Sequence, residues 1–224
     1  MAGMNQPDLS DMTLDELRPL LGAALPADAA FDGWRPRALD ATAFRLGIDE
    51  RVATLVFPGG ATDMIDAWFE SIDRDMLAAL PPERLAAMKV RERITALVEA
   101  RLAIIAPYRE ALRRAHAVLA MPQNTPFALK LGWRAADAMW RAAGDTATDY
   151  NHYTKRAILG SVYAATLLIF VDDDSDDWTE TRGFLARRIE GIMRFEKAKA
   201  RLTKGPDIGF NPARFLGRLR YPAR

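Results

Sequence analysis

The sequence predicts an all-α protein, with an N-terminal helix-turn-helix-like part of three short helices and a larger C-terminal helical part. Three observations carry this. Apolar residues recur at spacings of three and four through nearly every segment. No alternation of the β type persists. Prolines and glycines punctuate the ends of the periodic stretches.

Taken in order, Leu14 to Leu25 is amphipathic, with Leu14, Leu17, Leu21 and Leu25 on one face, and Pro26 ends it. Ala38 to Leu46 and Asp49 to Phe57 are short helices split by Gly47, and Pro58-Gly59-Gly60 is a turn. Ala61 to Leu80 is longer, with Met64, Ile65, Trp68, Ile72 and Met76 inward, and Pro81-Pro82 breaks it. Glu83 to Ala106 carries an apolar stripe from Leu85 to Ile105, and Pro107 to Ala120 follows. After the Pro122–Pro126 loop, Phe127 to Ala143 is closed by Gly144 as a C-cap residue. Asp149 suits the N-cap of a helix running to about Val171. An acidic turn, Asp172 to Asp177, leads into the last long helix, Thr179 to about Leu202. Ala157 to Val171 is apolar nearly all round. It is shorter than the roughly 20 residues of a bilayer span, so it is expected in a helical core or a dimer seam.

Composition removes several kinds of chemistry. The 224 residues include no cysteine and two histidines, which excludes disulfides, thiolate catalysis and cysteine or histidine-rich metal sites. Asp149 and His152, at i and i+3, have the spacing to share a metal. A di-iron helical centre, however, needs two Glu-x-x-His pairs and further glutamates, and none is present. No nucleophile–base pair or phosphate loop is present either, so neither a catalytic residue nor a cofactor is expected. The N-terminus has no apolar signal core, and it is acidic where a transit peptide would be basic. With the Ala- and Arg-rich usage, this leads to an expected location in bacterial cytoplasm, peripherally associated with the inner membrane.

The net charge of +1 conceals a gradient. Residues 1–86 hold 15 acidic and 7 basic side chains, whereas residues 194–224 hold 2 acidic and 9 basic. Ala38 to Phe69 resembles the TetR-type regulator pattern: Ala41, Ala43 and Leu46 pack the first helix of the motif, Gly47 is the turn glycine, Val52 and Leu55 are the inner face of the second helix, and Phe57-Pro58 ends it. That resemblance implies DNA binding, but the charge does not. Between Gly33 and Phe69 four arginines face five carboxylates, and the second helix opens on Asp49-Glu50, where phosphate would approach. The expectation is a fold element reused for packing, with no nucleic acid as partner. A TetR-type transcriptional regulator with a small-molecule pocket is the alternative.

The most distinctive stretch is Gly144 to Arg156, GDTATDYNHYTKR, just before the apolar helix. With Trp133, Met139-Trp140, Phe184-Leu185, Arg187 and the acidic Asp172–Asp177 loop, it resembles the Coq-nine family of ubiquinone-biosynthesis accessory proteins. The match is strongest from Trp133 to Glu190. That family is similar to TetR regulators in fold.

The resemblance implies a protein that is not an enzyme. It would bind an isoprenoid quinone or phospholipid, support the demethoxyubiquinone hydroxylase and form a homodimer through its last long helices. It divides the chain into residues 1–80, helix-turn-helix-like; 81–203, lipid-binding and dimerising; and 204–224, a basic, aromatic tail. Trp133, Trp140, Tyr163, Leu167 and Phe170 are expected to contact lipid. Asp149, Tyr150, His152 and Tyr153 are expected to contact the hydroxylase, with His152 standing where eukaryotic members carry Trp. The tail, with Phe210, Phe215, Leu216 and Leu219 among arginines, suits an anionic membrane surface.

Overall fold

A computed structural model describes residues 11–146 and 150–203, with the backbone alone at 150, 151, 193 and 195–203; these residues are helical with no strand among them. The described backbone divides into two compact units, the first reaching Leu185 and the second starting at Ala186.

Helix α1 (Leu14–Asp32) starts at a capping box. Thr13 accepts from the Glu16 amide, and the Glu16 carboxylate accepts from the Thr13 amide. The helix does not stop at Pro26, as the sequence had suggested. Leu21, Leu25 and Ala29 lie buried on one face across the proline, and that burial outweighs the roughly 3 kcal/mol an interior proline costs. Helix α2 (Pro36–Leu46) has proline in its first turn and ends at Gly47, whose φ of +73° closes the helix left-handed. In α3 (Glu50–Val56), Asp49 accepts from the Arg51 amide at 2.7 Å. The inward residues of α3 are Ala53 and Val56, not Val52 and Leu55; Leu55 is exposed.

Helix α4 (Ala61–Ala79) is the axis of the first unit, and Met64, Ile65, Trp68, Ile72 and Met76 are all buried, as their spacing predicts. It packs against α1, α6, α7 and α8. The α1–α4 crossing is made at Gly22. A Cβ there would lie 2.7 Å from the Ala67 Cβ and 2.8 Å from the Ala67 backbone. Instead of one long helix from Glu83, the chain forms α5 (Pro82–Ala86) and α6 (Val90–Ile105). The new start at Lys89 is fixed by the Glu92 carboxylate, which accepts from the Lys89 amide. Helix α7 (Arg109–Leu119) is tied to the front half by Trp34, which donates from Nε1 to the Ala111 carbonyl at 2.9 Å and stacks on Trp68. Helices α8 (Thr125–Ala142), α9 (Tyr150–Asp172) and α10 (Thr179–Thr203) follow.

One row of charge runs along α4. Asp66, Glu70 and Asp73 stand on one flank. Arg18 of α1 reaches Asp66 at 3.1 Å, and Arg134 of α8 reaches Asp66 at 2.5 Å, Glu70 at 3.2 Å and Asp73 at 3.5 Å. Arg101 of α6, 0% exposed, pairs with Asp73 and donates from Nε to the Tyr163 hydroxyl of α9 at 2.9 Å.

The Gly22 crossing gives a direct test. Gly22→Val should destabilise the fold by about 2–3 kcal/mol through overpacking against the Ala67 backbone, lowering the urea midpoint without changing the helical circular dichroism of the folded baseline. An unchanged midpoint would show that α1 and α4 do not meet there.

Candidate functional site

Helices α8 and α9 pack closely at Gly132 and Gly160, where a Cβ on Gly160 would stand 3.3 Å from the Gly132 carbonyl oxygen. This approach brings the surface side chains of the two helices together. Trp133 of α8 lies 6.0 Å from Tyr153 and 6.5 Å from His152 between ring centroids, and His152 and Tyr153 meet edge to face at 5.1 Å. Tyr153 is 62% exposed and Leu129, one turn before Trp133, is exposed as well. The result is an aromatic cluster on the surface at the start of α9.

A buried ionic cluster beneath it fixes the approach to α9. Arg156, 2% exposed, donates from Nε to Asp137 of α8 at 2.5 Å and from Nη1 to Asp145 at 3.1 Å and to the His152 carbonyl at 3.2 Å. Lys155 donates to the other Asp145 oxygen at 2.6 Å, and its ammonium lies 5.2 Å from the Trp140 ring. The Trp140 indole donates to the Lys155 carbonyl at 3.0 Å. Gly144, at φ +89°, turns the chain out of α8, and Arg93 of α6 donates to the Ala143 carbonyl at 2.8 Å. Burial pushes the Asp145 carboxyl up, but the hydrogen bonds and charges of Lys155 and Arg156 outweigh this and hold it below its ordinary value.

The far end of α9 is also anchored by arginine. Arg109 donates to the Val171 and Asp173 carbonyls, and Arg113 to the Val171 carbonyl and the Asp172 carboxylate. These contacts satisfy carbonyls that a helix end leaves open. In the acidic turn, Asp173 is buried and accepts from the amides and hydroxyls of Ser175 and Thr181. Burial raises its pKa, but those four bonds outweigh this and lower it to about 2.

The predicted lipid contacts separate by depth. Tyr163, Leu167 and Phe170 are buried, Phe170 edge-on to Trp178. Trp140 is half-buried in the ionic cluster, and Trp133 lies at the surface. Of the predicted partner contacts, His152 and Tyr153 come together with Trp133. Asp149 lies outside the described residues, as does the Tyr150 side chain. Phe210, Phe215, Leu216 and Leu219 lie outside them too. By length and composition, His152–Asp172 is long and apolar enough to cross a membrane, with 44% of this window buried. No group of metal-ligating side chains occurs among the described residues.

Sequence reasoning missed Arg101 and Arg156. A signal for both was present: Arg101 stands in the inward register of Leu97 and Ile105, and Arg156 in that of Leu159 and Tyr163.

Two predictions follow from these anchors. Asp145→Asn removes one partner of a buried arginine and should cost about 3 kcal/mol, read as a fall in thermal midpoint; a loss near zero would mean Asp137 alone satisfies Arg156. Asp145 and Asp173 both titrate lower when folded than unfolded. The stability they give is therefore present above the ordinary carboxylate value of 3.8 and is lost as pH falls through the folded value, about 2 for Asp173. Asp173→Asn should lower stability at pH 6 and flatten the decline between pH 4 and 2, measured as urea midpoints across that range; an undiminished slope would assign the acid sensitivity elsewhere.

Comparison with known proteins bears on this region. The COQ9 family model matches residues 125–196, from the start of α8 into α10. The mitochondrial ubiquinone biosynthesis protein COQ9 of Rattus norvegicus is 32% identical over 168 residues, covering 72% of this chain and 54% of that protein. The Homo sapiens counterpart is 31% identical, covering 72% and 52%. The chain therefore spans about half the length of the curated relatives it matches. In structure it is similar to a TetR transcriptional regulator from Nitrosomonas europaea, with a TM-score of 0.61 and 24% identity over 78% of this chain and 96% of that one. This likeness shows the fold.

The expectation of a bacterial cytoplasm with inner-membrane attachment is overturned. The relatives are mitochondrial proteins, and Ala- and Arg-rich composition carries no physical information about compartment. Through residues 125–196 and these relatives, the chain is similar to the COQ9 family, on an all-α fold of the TetR-regulator type.

Proposed function

We propose that this chain is an accessory protein of ubiquinone biosynthesis without catalytic activity of its own. It binds an isoprenoid quinone intermediate, shields it, and presents it to the demethoxyubiquinone hydroxylase. The observation that carries this reading is the coincidence of the family match with the exposed aromatic cluster of Trp133, His152 and Tyr153 on α8 and α9. Exposed aromatics on rigid helices, fixed from beneath by a buried ionic cluster, suit the centre of a protein interface. The driving force for holding the lipid is burial of isoprenoid surface, about 25 cal/mol per Å² removed from water.

The solvent side of α9 supports a homodimer. Ala157, Ser161, Ala164 and Leu168 are exposed at spacings of three and four, so small residues line a helix otherwise apolar enough to seek cover. The tail from Lys204, with its arginines and aromatics, suits attachment to an anionic membrane surface. The reading as a transcriptional regulator is not favoured: the likeness to a TetR protein is one of fold, and the front half is acidic where DNA would approach.

Lipids co-purifying with the protein, identified by mass spectrometry, test the ligand; repeated recovery of protein free of isoprenoid would remove that part of the reading. Tyr153→Ala should weaken hydroxylase binding at least tenfold with an unchanged thermal midpoint, because the ring is exposed. Undiminished binding would move the interface off this face. Deletion of residues 204–224 should reduce binding to anionic vesicles, and full retention would assign the tail another role.

A further inference from the structure

A groove of about 750 Å³ lies where the α1–α2 corner and the start of α4 meet the end of α7. Its size is that of small-molecule sites. All of its lining residues precede α8, so it is separate from the aromatic cluster and from the lipid contacts considered above. One wall is apolar. Trp34 is buried, Val118 lies in the last turn of α7 and Met121 just beyond it, and Phe31 is 83% exposed at the rim.

The lining holds two guanidinium groups, Arg35 and Arg114, against one carboxylate, Asp32, with Asp63 behind Gly59 bonded to the Gly59 amide. Among the described residues Arg35 has no ion-pair partner, and Arg114 uses its Nε on Glu110 at 3.0 Å and neither Nη group on a described carboxylate. Asp32, the carboxylate among the lining residues, is engaged by Arg37 at 3.2 Å. Arg114 Nη1 lies 3.8 Å from where a side chain on Gly33 would begin, and Gly33 has a φ of +73°, which L side chains rarely adopt. The guanidinium thus lies beside bare backbone. This basic lining stands within residues 1–86 and α7, of which residues 1–86 carry a balance of eight negative charges.

We propose that this groove binds a small amphipathic carboxylate, an acyl chain or ring laid along Phe31, Trp34, Val118 and Met121 with its head on Arg35 and Arg114. Guanidinium forks match carboxylate geometry, and the bond is charge-assisted. An apolar chain of the same size without the charge gains only the wall, and an inorganic anion gains only the arginines. Because Trp34 also bonds the Ala111 carbonyl of α7, the occupied groove would hold the front helices and α7 together.

Calorimetric titration of the full chain with dodecanoate, below its micellar concentration, tests this against 1-dodecanol and inorganic phosphate. The expected result is saturable binding of dodecanoate, at least tenfold weaker binding of dodecanol and none of phosphate. Arg35→Glu should weaken dodecanoate at least tenfold while leaving the unliganded thermal midpoint unchanged. Ala117→Trp, which fills the groove from an exposed position, should do the same; if that variant fails to fold, Arg35→Glu carries the test. No saturable binding, equal affinity for dodecanol, or affinity unchanged in the folded variants would overturn the proposal.

Discussion

Arg101 is a cation with no access to water, and most of the helix arrangement in the first unit follows from keeping it paired. Its guanidinium needs Asp73 on one side and the Tyr163 hydroxyl on the other, so α6 has one register against α4 and one against α9. Burial holds the Tyr163 phenol above its ordinary range, so it remains the neutral partner and adds no charge to the core. Asp73 continues the row of Glu70 and Asp66, through which Arg134 fixes α8 and Arg18 fixes α1. Hydrophobic burial supplies the driving force, but it tolerates sliding of one helix on another. A buried charge does not, because leaving it unpaired costs several kcal/mol.

The surface of α8 and α9 inherits its geometry from this interior. Arg134 stands next to Trp133 in sequence, so the pairing that seats α8 on α4 also sets where the indole emerges. Arg156 repeats the device from the other helix: it is buried beneath the start of α9, holds Asp137 and Asp145 together, and donates a further bond to the His152 carbonyl. The aromatic cluster is therefore carried on helix backbone that the buried Arg156 holds in place. A preorganised face of this kind loses less entropy on binding than one assembled on contact.

Much of this was legible in the residues. The apolar spacing of α4 predicted its buried face at five positions, and all five are buried. Gly47 and Gly144 marked turns because left-handed backbone favours glycine. Tyr163, Leu167 and Phe170 were recognisable as inward, but periodicity cannot separate a core residue from one that lines a lipid site, since both face the interior. The continuation of α1 through Pro26 was not legible, because it depends on what Leu25 and Ala29 pack against. The buried arginines were overlooked for a related reason. An arginine in an apolar register reads as a surface residue until the carboxylate that neutralises it, 28 positions away for Arg101, is brought beside it by the fold.

The front half has the fold of a TetR-type regulator but an acidic sequence. In a DNA reader the amino end of the second motif helix must stay open to a phosphate. Here Asp49 closes it from within, accepting from the Arg51 amide, and Glu50 adds a second negative charge. The outward residues of the two motif helices include Phe44 and Leu55, which offer no charge to phosphates. What remains necessary is the inner side of the same helices. Ala38, Ala43 and Ala53 are fully buried, and Trp34 joins the corner before them to α7. The packing chemistry of this helix-turn-helix therefore lies on its inner side, where small residues let the short helices approach closely.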